Sequence, residues 1–377
     1  MNIKDKNLYF VGGVVRDEIL GTPNFDVDLT YNGDAIEFAR NIDGTEILQI
    51  NEPFGTVRIK LEDEEIDIAS TRSEIYPQKG HLPIVDKIGC SLKEDVLRRD
   101  FTINAMAKST QNGEIIDYTG GLEDIKNKKL RVLHDKSFID DPTRILRGLK
   151  FSVRFGFELE EHTLKLQQQY LENINYDMSY KRLKKELIET FNLNKWSAFE
   201  KFVTQKIYKL VAPQEFEMPQ YNFEELIDKY ILANLPILPP MERREAENIW
   251  IIYVGLLPNI SNLPLTKTEK NIVDKYKDLK HFAQSGTVTD FEIYKTFKNI
   301  PLESVIMYSV INNDVVEKYL TELKNIELLI DGNDLKSLGI APSEKYQQCF
   351  DYILENKISN PDLTKQDEIN LAKEFFR

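Results

Sequence analysis

The first third of the chain alternates short hydrophobic and polar runs in the pattern typical of β-strands. Such runs lie at 7–11, 26–31, 45–50, 54–61 and 64–71, whereas 14–20 and 34–41 have the spacing of short helices. Several short strands with few helices favour a small α/β or α+β domain built around one sheet. We therefore predict a mixed sheet with flanking helices over residues 1–118.

From about residue 121 the pattern changes to the 3.6-residue periodicity of amphipathic helices. The clearest segments of this kind lie at 143–155, 162–171 and 180–191. Proline-rich stretches at 235–241 and 257–265 indicate breaks between helical parts. The pattern predicts an α+β domain followed by an all-helical remainder.

The composition is that of a globular protein, since 41% of the 377 residues are hydrophobic and 29% are charged. No apolar run approaches the roughly 18 residues that cross a membrane, and the N-terminus does not resemble a secretory signal. We therefore expect a cytoplasmic location and no membrane partner. Cys90 and Cys349 are far apart, and the four histidines are isolated. A disulfide framework and a zinc site are thus not expected, which leaves carboxylates, arginines and lysines for the chemistry.

The net charge of −13 is only a weak argument against a nucleic-acid partner, because RNA contacts one face and not the average surface. Basic residues form two local clusters, Lys126, Lys128, Lys129 and Arg131, then Lys181, Arg182, Lys184 and Lys185. For either cluster alone, a solvated helix face is the favoured interpretation. RNA binding therefore needs other support.

Glycines and carboxylates near the N-terminus suggest metal-assisted phosphate chemistry. Gly12 and Gly13 follow the apolar run 8–11 and precede a helical stretch, a position where backbone N–H groups can hold a phosphate. Asp26 and Asp28 alternate on the next strand, so that both project from one face about 7 Å apart. Carboxylates in this arrangement can hold divalent cations against a phosphate. Asp67 is a candidate third ligand, although an acid on a strand between two isoleucines can also simply face solvent.

Two later clusters offer donors and acceptors to a nucleotide. In 97–107, adjacent arginines precede Asp100 and Asn104, which suits phosphates and ribose hydroxyls, although an amphipathic segment with a surface ion pair explains the cluster equally well. In 140–151, Pro142 suits the first helical position, so Asp141 can be a helix cap. An Asp beside an Arg can also read a base edge. The cationic residues of this helix recur every three residues along one side: Arg144, Arg147 and Lys150.

Taken together, these clusters resemble the class II tRNA nucleotidyltransferases, which comprise the CCA-adding enzymes and their bacterial poly(A) polymerase relatives. Five stretches are similar to the family's motifs in order: 12–17 with 26–28, 98–105, 117–124, 140–144 and 179–187. The segment 330–340 is similar to the tail of bacterial CCA-adding enzymes, whereas 192–325 matches loosely. The resemblance implies a nucleotidyltransferase head at 1–118 with a small mixed sheet and helices. An all-α neck at 119–192, body at 193–265 and tRNA-binding tail at 266–377 would follow.

The resemblance also implies roles for individual residues. Asp26 and Asp28 would ligate Mg²⁺, and Asp67 would complete the catalytic carboxylates. The implied nucleotide contacts are Gly12, Gly13 and Arg16 to the triphosphate; Arg99, Asp100 and Asn104 to ribose and phosphates; Asp141 and Arg144 to the base; and Arg147 and Lys150 nearby. Two positions depart from the family pattern, since Asp140 stands where Glu is usual and Lys150 where Arg is frequent.

The implied reaction is addition of the 3′-terminal CCA to tRNA from CTP and ATP, without a nucleic-acid template. Alternatives within the family are CC-only addition, A-only addition and poly(A) synthesis; the segment 76–83 lies where the family carries a loop linked to A addition, and so favours A-competence. A nucleotidyltransferase acting on a small molecule would share Gly12, Gly13 and the carboxylates but would not need Asp141 and Arg144. A non-enzymatic RNA-binding protein is disfavoured because all three acids are present. The oligomeric state stays open.

Overall fold

The computed structural model describes residues 3–23, 28–62, 64–174, 177–234, 248–282 and 288–377. Asp26 and the proline-rich stretch 235–241 lie outside these described residues. The chain divides into two compact units, the first formed by Met1–Glu217 with Leu257–Pro264 and the second by Met218–Leu256 with Leu265–Arg377. The proline-rich stretch predicted at 257–265 thus coincides with a segment that belongs to the first unit.

Within the described residues, the first unit contains one seven-stranded mixed sheet. Its strands are β1 (Leu8–Val11), β2 (Asp28–Tyr31), β3 (Thr45–Asn51), β4 (Thr56–Leu61), β5 (Glu64–Ser70), β8 (Met106–Ser109) and β9 (Ile115–Asp117), in the spatial order β3-β4-β5-β2-β1-β8-β9. Only β2 and β5 pair in parallel, and the other neighbours are antiparallel. Separate two-stranded ribbons are formed by β6 (Arg72–Ile75) with β7 (Ile84–Ile88), and by β10 (Lys129–Leu130) with β11 (Glu158–Leu159).

The first helices of this unit alternate with the strands of the sheet, and the later ones follow the last strand of the sheet in sequence. They are α1 (Gly13–Leu20), α2 (Ala35–Arg40), α3 (Leu92–Leu97), α4 (Gly121–Lys126), α5 (Ser137–Asp140), α6 (Thr143–Phe155), α7 (Glu161–Glu172), α8 (Tyr180–Phe191) and α9 (Trp196–Thr204). A short 3₁₀ turn, Thr102–Asn104, precedes β8. A mixed-sheet head followed by helices confirms the predicted α+β class.

The two faces of the sheet carry different partners. Leu29, Val57, Ile59, Ile66 and Ile68 alternate along β2, β4 and β5 and pack against α2. Towards β1 and β8, the opposite face packs against α3. The outward positions of β2, β4 and β5, on the face away from α2, are therefore available for function.

Strands β6 to β9 and helix α3 were missing from the sequence prediction. They are short, and the β8 sequence Met-Ala-Lys-Ser contains no β-branched or aromatic residue, so its local signal for a strand is weak. Helix α3 has only six residues, less than two turns, and its start is set by a capping box between Ser91 and Glu94.

The basic cluster at 126–131 forms ion pairs. Lys129 lies 3.5 Å from the exposed Glu158, and Arg131 lies 3.1 Å from Asp124, which is only 4% exposed. Lys126 ends α4 whereas Lys129 lies on β10, so the cluster is not the single solvated helix face that was the favoured interpretation.

The second unit is helical within its described residues. Its helices are α10 (Glu224–Tyr230), α11 (Ile249–Val254), α12 (Lys267–Leu279), α13 (Asp290–Phe297), α14 (Leu302–Tyr308), α15 (Asn313–Lys318), α16 (Gly332–Ser337), α17 (Lys345–Ser359) and α18 (Lys365–Phe375), with a π-helical turn at Tyr319–Leu323. Phe297 contacts both Tyr308 and Tyr319 edge to face in its core. Glu368 is fully buried, pairs with Lys357 at 3.0 Å and accepts from the Leu329 backbone N–H at 2.7 Å. No described helix has the length and apolar character needed to cross a membrane.

Gly121, the first residue of α4, lies close against the backbone of Thr102. A Cβ at this position would lie 2.3 Å from the carbonyl oxygen of Thr102. We expect Gly121→Ala to lower the free energy of unfolding by about 1–3 kcal/mol, because neither backbone can retreat freely. Calorimetric unfolding measures this. Gly332→Ala is the matched control, since Gly332 also begins a six-residue helix and a Cβ there meets nothing closer than 3.9 Å; equal losses in both variants would contradict the steric explanation.

Candidate active site

Two predicted carboxylates lie side by side on the sheet. Asp28 on β2 and Asp67 on β5 are direct partners in the parallel register, so their side chains share one face. Leu29 and Ile68, the next pair along, are buried against α2, and this places both acids on the opposite, exposed face. Neighbouring strands are about 4.8 Å apart, a separation at which two carboxylates can share a divalent cation.

The donor set fits a hard divalent cation. Carboxylate oxygens are the ligands that Mg²⁺ and Ca²⁺ take in proteins. Among the described residues, no cluster of three or more His, Cys, Asp or Glu side chains forms a complete cage. Asp28 and Asp67 are the candidate carboxylates that the described part of the chain brings together, and the ligand roles of Asp26 and Asp28, with Asp67 as the third carboxylate, stay predictions.

The glycine turn carries a closely apposed arginine. Gly12 adopts a φ of 73°, in the region that favours glycine, and α1 begins at Gly13. A Cβ at Gly12 would lie 2.9 Å from Nη1 of Arg99, so the guanidinium rests on the turn. Within the described residues, Nε of Arg99 is buried without a hydrogen-bond partner. A helix N-terminus and a cation with a spare donor therefore meet where a phosphate was predicted.

Asp95, which sequence analysis did not select, holds the arginine pair. It is fully buried and accepts hydrogen bonds from Arg98 Nη2 at 3.0 Å and Arg99 Nη2 at 3.1 Å. Burial alone would raise the pKa of Asp95, but the two arginines and the Arg72 backbone N–H hold this pKa below its usual range. The sequence did contain a signal for this role of Asp95. It precedes the two arginines by three and four residues, the spacing at which side chains meet on one side of a helix.

Asp100 and Asn104 belong to a buried network that reaches α6. The Asp100 Oδ1 atom accepts from the Phe101 backbone N–H at 2.8 Å and from Asn104 Nδ2 at 3.0 Å. The Oδ2 atom accepts from Arg147 Nη2 at 2.6 Å and Nε at 2.7 Å. Burial raises the pKa of Asp100, but Arg147 and Asn104 outweigh it and hold this pKa far below the usual range. The same contact raises the pKa of Arg147. Asp100 is therefore a permanent acceptor.

Arg16 extends this network to α1. Its Nη1 donates to Asn104 Oδ1 at 2.6 Å and its Nε donates to Asp17 at 2.8 Å. The guanidinium carbon lies 5.2 Å and 4.6 Å from the ring centres of Phe151 and Phe155 on α6. Burial lowers the pKa of Arg16, which is 4% exposed. In this structure its donors serve the protein interior, and a contact to the triphosphate stays a prediction.

Asp141 and Arg144 lie at the start of α6, and both have partners. The helix begins at Thr143 with Pro142 as its N-cap, so the prediction of Asp141 as N-cap and Pro142 as first helical residue is wrong by one position. Asp141 Oδ1 accepts from the Thr143 backbone N–H at 3.1 Å, while Oδ2 accepts from Arg182 at 2.5 Å. Arg144 is 3% exposed and donates to Ser137 Oγ and to the Arg98 carbonyl oxygen, both at 3.0 Å. The structure thus ties the predicted base-reading arginine to the predicted phosphate-binding segment.

Helix α8 supplies two residues that the prediction omitted. Arg182 binds Asp141 and also donates to the His81 carbonyl oxygen at 3.2 Å. Four residues later, Glu186 accepts from Lys150 at 2.9 Å and lies 3.5 Å from Arg147. Lys150 also pairs with Glu189. The basic run at 181–185 was the available signal, but its pairing with Asp141 depends on tertiary contacts.

The buried Asp100–Arg147 pair gives a pH-dependent prediction. Asp100→Asn should lower the free energy of unfolding by about 2–3 kcal/mol at pH 7. This cost lies between those of losing an exposed and a fully buried ion pair, because the Arg147 side chain is 35% exposed. The folded-state pKa of Asp100 is depressed, so its contribution is present above the unfolded-state pKa of about 3.9 and is lost as pH falls through the folded value.

The difference between wild type and variant should accordingly be constant from about pH 7 to pH 5 and shrink below about pH 4. Urea unfolding across this range measures it. Glu158→Gln, which removes the exposed partner of Lys129, serves as control and should have little effect. A difference for Asp100→Asn that does not change with pH would contradict the ionic assignment.

Comparison with known proteins identifies relatives along nearly the whole chain. Residues 8–131 match the Poly A polymerase head domain. An A-adding tRNA nucleotidyltransferase of Halalkalibacterium halodurans is 30% identical over 394 residues, covering 98% of this chain and 89% of that protein. A CCA-adding enzyme of Enterococcus faecalis is 30% identical over 284 residues, covering 70% of this chain and 67% of that protein. An A-adding tRNA nucleotidyltransferase of Aquifex aeolicus is 34% identical over 89% of this chain, which spans only 43% of that longer protein.

Solved structures are similar over the same extent. The Thermotoga maritima CCA-adding enzyme complexed with tRNA is 26% identical, with a TM-score of 0.73 and coverage of 98% of this chain and 91% of that one. Structures of a CCA-adding enzyme with ATP and with CTP are both 27% identical, with TM-scores of 0.71 and 0.70; each covers 96% of this chain, and 88% and 89% of its own. From the sequence match along its length and the shared fold, this chain belongs to the class II tRNA nucleotidyltransferase family.

Proposed function

We propose that this enzyme completes the 3′ end of tRNA by adding CCA from CTP and ATP without a nucleic-acid template. The observation that carries the proposal is the double role of α6. The helix starts two residues after Asp141, Arg144 lies on its first turn, and Arg147 on the next turn pairs with Asp100, so the groups proposed for base and ribose are linked through one helix. The solved relatives with tRNA, ATP and CTP support the substrate classes. A cytoplasmic location remains part of the proposal.

Asp28 and Asp67, with Asp26, are proposed to hold Mg²⁺. When bound, the metal would lower the pKa of the tRNA 3′-hydroxyl and neutralise charge on the pyrophosphate leaving group. Nucleotidyltransferases generally use a divalent metal, and a donor set made only of carboxylates favours Mg²⁺ over softer ions. The protein's part is to align the two substrates, because phosphoryl transfer depends mainly on positioning and charge.

The glycine turn and Arg99 are proposed to bind the triphosphate. The first backbone N–H groups of a helix have no partner within it, and Arg99, whose Nε–H has no partner among the described residues, lies against the turn before α1 and adds a charged donor there. Asp100 is held ionised, and its four lone-pair sites already accept from Phe101, Asn104 and Arg147, so a ribose hydroxyl would bind by displacing one of these donors. Asn104 donates a hydrogen bond to Asp100, and Arg16 donates one to Asn104, so both residues help to hold Asp100 in place.

Asp141 and Arg144 are proposed to select cytosine and adenine. Both bases present an amino donor beside a ring-nitrogen acceptor, whereas uracil and guanine present a carbonyl beside an N–H. An aspartate can accept from the amino group while an arginine donates to the ring nitrogen. Arg182 and Arg98 fix the two side chains before the base arrives, which favours discrimination over mere affinity.

A-only addition is the second candidate, because the Halalkalibacterium and Aquifex relatives are A-adding enzymes. The deciding experiment incubates tRNA that lacks its 3′ end, and tRNA that already ends in CC, with CTP, ATP or both. Three added nucleotides on the first substrate support CCA addition. Extension only of the CC-ending substrate, by one A, would establish A-only addition instead, and long tails would indicate poly(A) synthesis.

Substitution of the strand carboxylate tests the catalytic assignment. Asp28→Asn keeps the side-chain shape but removes a charged ligand, so we expect nucleotide incorporation to fall by about two orders of magnitude or more. Rates of labelled-nucleotide incorporation into tRNA measure the loss. Glu65→Gln is the matched control, because Glu65 lies exposed on β5 two residues before Asp67. An Asp28→Asn enzyme as active as the Glu65→Gln enzyme would refute the assignment.

A further inference from the structure

Asp67 has a cationic neighbour on the side away from Asp28. The strand registers align Gln49, Arg58, Asp67 and Asp28 in one row across β3, β4, β5 and β2. Register partners project from the same face, so these four side chains stand in line on the face opposite α2. An arginine therefore flanks the proposed metal ligands on the sheet itself.

The contact between Arg58 and Asp67 uses both carboxylate oxygens. Arg58 Nε donates to Oδ1 and Nη2 donates to Oδ2, each at 2.8 Å, which is the bidentate fork of a planar guanidinium on a planar carboxylate. The side chains are 45% and 53% exposed. A fork this exposed is held weakly and can open, yet the arginine charge is permanent because its guanidinium does not deprotonate.

We propose that Arg58 competes with the divalent metal for Asp67, so that the metal-free head holds its third carboxylate in an ion pair and releases it when the metal enters. This inference rests on the proposed metal role of Asp28 and Asp67. In the metal-free head the carboxylates repel each other, and Arg58 offsets that repulsion. A divalent metal ion that binds Asp67 would replace the singly charged guanidinium of Arg58 at the same carboxylate oxygens.

The physical argument gives the direction of the effect. Removing a positive charge next to a cation site strengthens cation binding, and it also frees the Asp67 oxygens. Loss of a merely structural ion pair would leave metal binding unchanged or weaken it. A gain in metal affinity therefore separates competition from a scaffold role.

The test measures Mn²⁺ binding to the full chain without nucleotide, by the electron paramagnetic resonance signal of free Mn²⁺. We expect Arg58→Met to bind Mn²⁺ about three- to tenfold more tightly than wild type. Arg58→Lys keeps the charge without the fork and should fall between the two. Lys60→Met is the matched control: Lys60 lies exposed on the same strand, two residues beyond Arg58 and opposite Glu65, and this variant should change affinity much less.

Unchanged or weaker Mn²⁺ binding by Arg58→Met would overturn the competition, as would an equal gain in Lys60→Met. Asp28→Asn separates this outcome from failure of the proposed function. If Asp28→Asn loses Mn²⁺ binding while Arg58→Met matches wild type, the metal site stands and the competition fails. If Asp28→Asn binds Mn²⁺ like wild type, the proposed metal site itself fails, and the competition with it.

Discussion

The buried pair between Asp100 and Arg147 is the contact on which the arrangement of the first unit depends. It joins the segment before β8 to helix α6, and both oxygens of Asp100 are engaged. Around it, Phe101 packs edge to face on Phe151, and Gly148 lets the Phe101 ring approach the helix. A single ion pair with incomplete burial would be weak; here the surrounding hydrogen bonds and aromatic contacts make separation of head and helix costly.

The sheet and the helices position the candidate site residues in different ways. The carboxylates owe their proximity to strand register, which allows no sliding because a shift by one residue would turn each acid into the core. The arginines owe theirs to side-chain contacts: Arg99 is held by Asp95, and Arg144 is held by the Arg98 carbonyl. The proposed metal ligands are thus fixed by the backbone, whereas the proposed nucleotide contacts depend on a chain of buried charges that must all be in place.

Hydrophobic periodicity was sufficient to predict the long helices α6 and α8 and strands β1 to β5, because all of these except the mostly exposed β3 bury apolar side chains. It could not predict β8, β9 or α3, whose few residues carry little pattern and gain their structure from neighbours. Residue types and spacing also selected Asp67, Asp100 and Arg144 as candidates, and the structure places Asp67 beside Asp28, Asp100 against Arg147, and Arg144 against the Arg98 carbonyl oxygen. They did not identify Asp95, Arg182 or Glu186, since these act only through partners that the fold brings from elsewhere in the sequence.

The Asp100–Arg147 contact also limits where the chain can be divided into separate domains. The predicted head boundary near residue 118 separates Asp100 from Arg147, and Asn104 from the rings that cover Arg16. A head excised there would expose an acidic group and an apolar surface that α6 normally covers. A chimaera with a foreign helical part would need an arginine and two aromatic rings in matching positions. Modules of this enzyme are therefore exchangeable only at a junction that keeps residues 1–155 together.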